Sequence, residues 1–106
     1  MISITPTAAR QVRESARQGQ MEGMPLRIAA MRNPDGSIHY AMGFDDKQLE
    51  HDNRFNSEGI EIVVADTSMP LLTGTVIDYV EIEPGKFEFI FLNPNDPNYQ
   101  PAEQAE

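Results

Sequence analysis

The sequence predicts a mainly β domain with an N-terminal α-helix, an α+β fold built largely from antiparallel hairpins. Three observations predict it. One stretch near the N-terminus repeats its apolar residues at helical spacing. Several later stretches alternate with a period of two, and turn residues such as NPDG and PG separate them.

Residues 5–18, TPTAARQVRESARQ, form the helix. Thr5 suits the N-cap and Pro6 the first helical position. Ala8, Ala9, Val12 and Ala16 make a narrow apolar stripe, and a stripe of alanines lets a helix lie close against a sheet. The glycines of GQMEGM end it. Residues 26–32, LRIAAMR, begin the strands, with Leu26, Ile28 and Ala30 on one face. In NPDG, Pro34 presets φ, Asn33 and Asp35 are favoured turn residues, and Gly36 takes positive φ. SIHYAMGF then alternates, so 26–44 reads as a hairpin with Ile38, Tyr40, Met42 and Phe44 on one face and His39 on the other.

Residues 45–59 read as a polar loop with at most a short strand near Arg54–Phe55. From Gly59, IEIVVAD forms a strand, and TSMPLLTG a helical turn capped by Thr67 or Ser68. TVIDYVEIE and KFEFIFLN form a second hairpin across PG, with Phe87, Phe89 and Phe91 on one face. NPNDPNYQPAEQAE, with its three prolines and few apolar residues, is expected to be flexible. The expected division is a domain over 1–95 and an acidic C-terminal tail over 96–106.

A chain of 106 residues fits one domain, and 40% hydrophobic with 24% charged residues is ordinary globular usage. The net charge of −9 argues against nucleic acid and against an anionic membrane surface, both of which need clustered Lys and Arg. It suits solubility, a basic protein partner or a cation. MISITPTAAR has no apolar signal core and no run approaches bilayer length, so a cytoplasmic location is expected. The chain has no cysteine, hence no disulfide, thiol nucleophile or thiolate metal site.

Chemistry-bearing patterns are few. His39 and His51 with Asp35, Asp46 or Asp52 would offer a borderline metal some donors, but no spacing ties them together. Asp45–Asp46 and Glu50–His51–Asp52 lack the ligand order of a calcium loop and read as a solvated acidic loop. No serine sits in a nucleophile elbow, and no glycine-rich phosphate loop is present. No residue argues for an enzyme.

Longer segments carry a resemblance. DTSMPLLTGTVIDYV (66–80) resembles the D-x-x-S-x-P-x-L-x-G-T-x-I-D-Y-V stretch of the A-type iron–sulfur carrier family, also called HesB-like. KFEFIFLNPN (86–95) is similar to its F-x-F-x-NPN ending, and ISITPTAARQVRE with LRIAAMR to its first helix and strand. Asp46, Asp52, Phe55 and Gly59 fall on the pattern between them, and the match runs from Ile2 to Asn95. The resemblance implies a compact β-sandwich or pseudo-barrel, dimers or tetramers, and iron or iron–sulfur cluster held by three cysteines. Carried over, those cysteines fall on Asp35, Gln100 and Ala102. All three thiolates are missing, and carboxylate, amide and methyl groups do not replace them on soft iron–sulfur clusters.

Two readings follow. The first is a non-enzymatic, degenerate HesB-like protein of iron–sulfur cluster assembly. It would act as an interaction or adaptor module, with a protein partner, no cluster and a homodimer within what the resemblance implies. The alternative is a metal or iron carrier using Asp35, His39 and His51 in place of cysteine. Under the first, Asp35 is a turn residue.

Overall fold

The structure, a computed structural model, describes residues 2–47 and 49–99. In chain order the elements are β1 (Ser3–Ile4), α1 (Pro6–Gln18), β2 (Leu26–Arg32), β3 (Ile38–Phe44), β4 (Asp52–Ser57), β5 (Ile60–Ala65), α2 (Met69–Leu72), β6 (Val76–Glu83) and β7 (Lys86–Leu92). The strands form two sheets, one ordered β1-β6-β7 and one ordered β3-β2-β5-β4.

The three hairpins, β2–β3, β4–β5 and β6–β7, are antiparallel. Two short parallel pairings complete the sheets. Ser3 and Ile4 lie beside Val76 and Ile77, and Leu26 and Arg27 beside Ile62 and Val63. These long-range pairings have no local sequence signature, so alternation alone does not reveal them.

β4 is a full six-residue strand where the sequence suggested a fragment near Arg54–Phe55. Asp and Asn are poor strand formers, and pairing with β5 overrides that preference. The two-residue turn between them has Glu58 at φ 53° and Gly59 at φ 79°, the positive pair that suits a tight hairpin.

The core joins both sheets and α1. Ile2, Ile28, Ile62, Val64, Leu72 and Ile77 are fully buried, together with Ala8 and Ala9 from the helix. Burying each large aliphatic side chain contributes roughly 1.5–3 kcal/mol. The alanine stripe sits at the sheet as the sequence suggested. Thr5 caps α1 by accepting from the Ala8 N–H at 3.1 Å, while its own hydroxyl donates to Asp78 Oδ1 at 2.6 Å. One side chain thus starts the helix and ties it to β6.

Candidate functional site

Asp35 lies in the five-residue connection, 33–37, that closes β2–β3. Arg32 and Ile38 are the last strand pair, and the Asn33 N–H donates to the Ser37 carbonyl at 2.8 Å. The Gly36 N–H closes the turn on the Asn33 carbonyl at 2.9 Å, with Gly36 at φ 91°. This is a type I turn followed by a left-handed residue, a common way to close such a hairpin. Asp35 Oδ1 accepts from the Ser37 N–H at 2.9 Å and the Ser37 hydroxyl at 2.6 Å. The hydroxyl first, and the backbone N–H after it, hold the carboxyl below its ordinary pKa. The carboxylate is exposed and faces its own loop's donors.

The other two positions that match family cysteines, Gln100 and Ala102, lie outside the described residues. The segment leading to them does not. Asn93 is fully buried, and its amide donates to the Leu71 carbonyl at 2.7 Å and to Tyr40 Oη at 3.1 Å. The Asn95 amide donates to the Thr73 carbonyl at 2.8 Å. Tyr40 in turn donates to Asp96 Oδ2 at 2.7 Å, and its ring stacks on Phe91 at 4.3 Å and 5°. Burial, then the Asp96 hydrogen bond, pushes the Tyr40 phenol up to about 12. Asn93, Asn95 and Asp96 are thus each hydrogen-bonded to other parts of the domain. Composition counts apolar burial and misses an asparagine whose amide satisfies buried carbonyls.

His39 stands exposed on β3 opposite Met31. His51 is exposed on the loop before β4, 3.9 Å from Glu50 Oε1 and 3.7 Å from Asp66 Oδ2. Among the described residues, no three His, Asp or Glu side chains group to hold a metal ion. The structure does not gather Asp35, His39 and His51 into one site.

The acidic loop differs from its sequence reading. Asp45 and Asp52 are bound by Arg27 rather than simply solvated. Arg27 Nε donates to Asp45 Oδ2 at 2.8 Å, and its two terminal nitrogens grip Asp52 at 2.8 and 2.7 Å. The Asp52 side chain is 2% exposed, and the Arg27 fork, aided by the Leu49 N–H, brings its pKa down to about 2. Asp45 is also lowered, first by the Lys47 N–H and then by Arg27. Asp46 remains exposed. Arg27, set between Leu26 and Ile28 in LRIAAMR, was the available signal, because a charge in a half-covered strand needs a partner.

The larger cleft, about 700 Å³, lies between α1 and the β4–β5 turn; Val12, Ala16, Met24, Phe44 and Ile60 line it. Among the described residues, Asp35 does not line it.

The donor set does not fit an iron–sulfur cluster. The chain supplies no thiolate, and Asp35, the described residue that the resemblance sets against a family cysteine, is an exposed hard carboxylate already engaged by Ser37.

The two-sheet fold, with α1 capped onto β6, is that of a HesB-like domain. The chain belongs to the iron–sulphur cluster biosynthesis family, whose pattern it matches over residues 1–100. It is 34% identical over 98 residues to the iron-binding protein IscA of Proteus mirabilis, covering 92% of this chain and 89% of that protein. A protein of Aquifex aeolicus is 33% identical over 95 residues, covering 90% of this chain and 81% of its own. The crystal structure of IscA with the [2Fe-2S] cluster superposes with a TM-score of 0.75 at 27% identity, covering 89% of this chain and 86% of that one. No helix among the described residues is long and apolar enough to cross a membrane.

Proposed function

We propose that this protein serves iron–sulfur cluster assembly as a non-enzymatic, cysteine-free interaction module. It binds a protein partner in the cytoplasm and does not itself carry the cluster. The process comes from family membership and from relatives such as the iron-binding IscA. The non-carrier reading rests on one observation: at the position of the first family cysteine, the Asp35 carboxylate closes its own turn through Ser37. The domain in this reading runs from the N-terminus through the Asn93–Asp96 corner, and the acidic residues beyond it form the tail.

The test is iron and acid-labile sulfide content, with an absorption spectrum, on protein purified anaerobically and again after attempted reconstitution. The expected product is colourless, with both well below one per chain. Stoichiometric iron that disappears in Asp35→Ala or His39→Ala would establish the carboxylate–histidine carrier instead.

A further inference from the structure

Charge is not spread evenly over this chain. Of its eight Lys and Arg residues, Arg10, Arg13 and Arg17 all belong to α1, so the helix is a basic strip on a chain of net charge −9. They stand at i, i+3 and i+7, which is one side of a helix. That side is the lip of the cleft between α1 and the β4–β5 turn, about 700 Å³ in volume. Within the cleft, Val12, Ala16 and Ile60 are buried and Met24 and Phe44 half-buried, which gives it an apolar floor.

The acids around the cleft are engaged. Glu14 pairs with Arg17, whose pKa is raised first by Glu14 and to a smaller extent by Glu22. Glu61 pairs with Arg54 at 2.5 Å. Arg10 and Arg13 differ: among the described residues, neither is paired with a carboxylate. Arg13 donates to the Glu58 carbonyl, over the backbone of Gly59, where a Cβ would meet Arg13 Nη2 at 2.9 Å. A carbonyl fixes one nitrogen of the guanidinium and leaves its charge and most of its donors open.

Charge and spacing decide the occupant. Cβ atoms at i and i+3 of a helix lie about 5–6 Å apart. In an extended chain, residues i and i+2 stand on one side, about 6.5–7 Å apart. Carboxylates at alternate positions of an extended segment thus match Arg10 and Arg13, and the apolar side chains between them turn the other way, toward the floor. A one-headed amphiphile leaves one of the two cations unmatched.

We propose that this cleft seats an extended segment of a partner protein in which acidic and apolar residues alternate. The carboxylates meet Arg10 and Arg13, and the apolar side chains lie on the floor. The proposal rests on the interaction-module reading and gives the partner a chemistry. Elsewhere the chain's negative charge repels an acidic segment, so the cleft also sets where it lands.

The probe is a short synthetic peptide alternating glutamate and leucine, titrated into the isotope-labelled full chain while amide NMR shifts are followed residue by residue. Iron and sulfide content judges the module reading; this titration uses metal-free protein and judges the cleft alone. Saturable shifts are expected at residues 10–17, 24 and 59–61, with affinity falling several-fold between about 50 mM and about 300 mM salt. Serine in place of leucine weakens binding about tenfold, and so does Arg10→Glu in the protein. Arg10 is exposed and, among the described residues, hydrogen-bonds nothing, so this variant keeps the fold. The pair Arg10→Glu with Arg13→Glu, checked for folding by circular dichroism, prefers a peptide alternating lysine and leucine. Absence of saturable shifts overturns the proposal, as do shifts centred away from the cleft, equal binding of the lysine peptide by the wild type, or unchanged affinity in Arg10→Glu. Laurate binding the same residues more tightly than the peptide overturns it in favour of a one-headed lipid acid.

Discussion

The Tyr40 hydroxyl donates to Asp96 Oδ2 at 2.7 Å across 56 residues of sequence. Tyr40 Oη also accepts from the buried Asn93 amide, and the ring lies flat on Phe91. One β3 side chain therefore contacts β7 and the segment that follows it. This places the start of the C-terminal segment next to the four-stranded sheet, on a defined side of the molecule.

Tyr40 makes an alkaline prediction. Its pKa is raised from 10.0 to about 12, first by burial and then by Asp96. A raised folded value means that the stability it contributes is present below pH 10.0 and is lost as pH rises toward about 12. Absorbance titration of the phenolate should show one tyrosine ionising near pH 12. Tyr40→Phe should remove that step and shrink the loss of stability over the same window.

Asn93 makes a stability prediction. Its amide serves the Leu71 carbonyl and Tyr40, and its own carbonyl accepts from the Asn95 N–H at 2.9 Å. Asn93→Ala leaves these groups short of partners in a buried place, a loss of about 1–3 kcal/mol. Urea unfolding should show a lower midpoint with an unchanged slope. Asn93→Asp should also destabilise, because it removes the donor and adds a buried charge.

Arg27 and Asp52 govern the acid limb. The folded Asp52 value of about 2 lies below the ordinary 3.8. Its contribution is therefore complete above 3.8 and is lost as pH falls toward about 2. Stability measured from pH 5 downward should fall steeply in that window for the wild type and less steeply for Arg27→Met. At neutral pH, Arg27→Met should lower Tm more than Arg54→Met does. Arg54 pairs with Glu61 at 2.5 Å, but with 35% and 44% of the two side chains exposed, and exposed pairs contribute little.

The sequence was legible where pattern and turn chemistry agreed. The hairpins of β2–β3 and β6–β7 follow from clean alternation around NPDG and PG, and α1 from its cap and alanine stripe. β4 was not, because Asp52, Asn53 and Asn56 are individually poor strand residues and only their pairing with β5 makes the strand. The parallel joins of β1 to β6 and β2 to β5 depend on three-dimensional packing that no local pattern records. Asp45 and Asp52 looked solvated because the cation they share lies in another strand, Arg27 of β2. The burial of Asn93 has no signature in composition, because its side-chain amide is satisfied by the Leu71 carbonyl and not by water. The turn at Asp35 was readable from NPDG, and the structure adds the Ser37 donors.

The β4–β5 turn gives a local test. Gly59 sits at φ 79°, and a Cβ there would meet Arg13 Nη2 at 2.9 Å. The guanidinium end can shift, so the backbone conformation sets most of the cost, about 1–2 kcal/mol for Gly59→Ala. Glu58, at φ 53°, already occupies the left-handed region. Glu58→Asn should raise Tm, because asparagine tolerates that conformation better.

Asp35 and Gly36 separate a turn from a ligand loop. If backbone geometry sets this loop, Gly36→Ala is the damaging change. Its φ of 91° is strained for alanine even though no atom lies within 4 Å of the added Cβ, and the strain is about 1–2 kcal/mol. Asp35→Ala loses the two Ser37 hydrogen bonds at an exposed position but leaves Pro34, Gly36 and the Asn33–Ser37 backbone closure in place. Its Tm should therefore fall less than that of Gly36→Ala. A ligand role predicts a different pattern: added ferrous iron would raise the Tm of the wild type and not that of Asp35→Ala, since a ligand that binds only the folded state stabilises it. Equal and negligible responses to iron in the two proteins, with the Tm order above, would show that Asp35 acts in this loop through Ser37 alone.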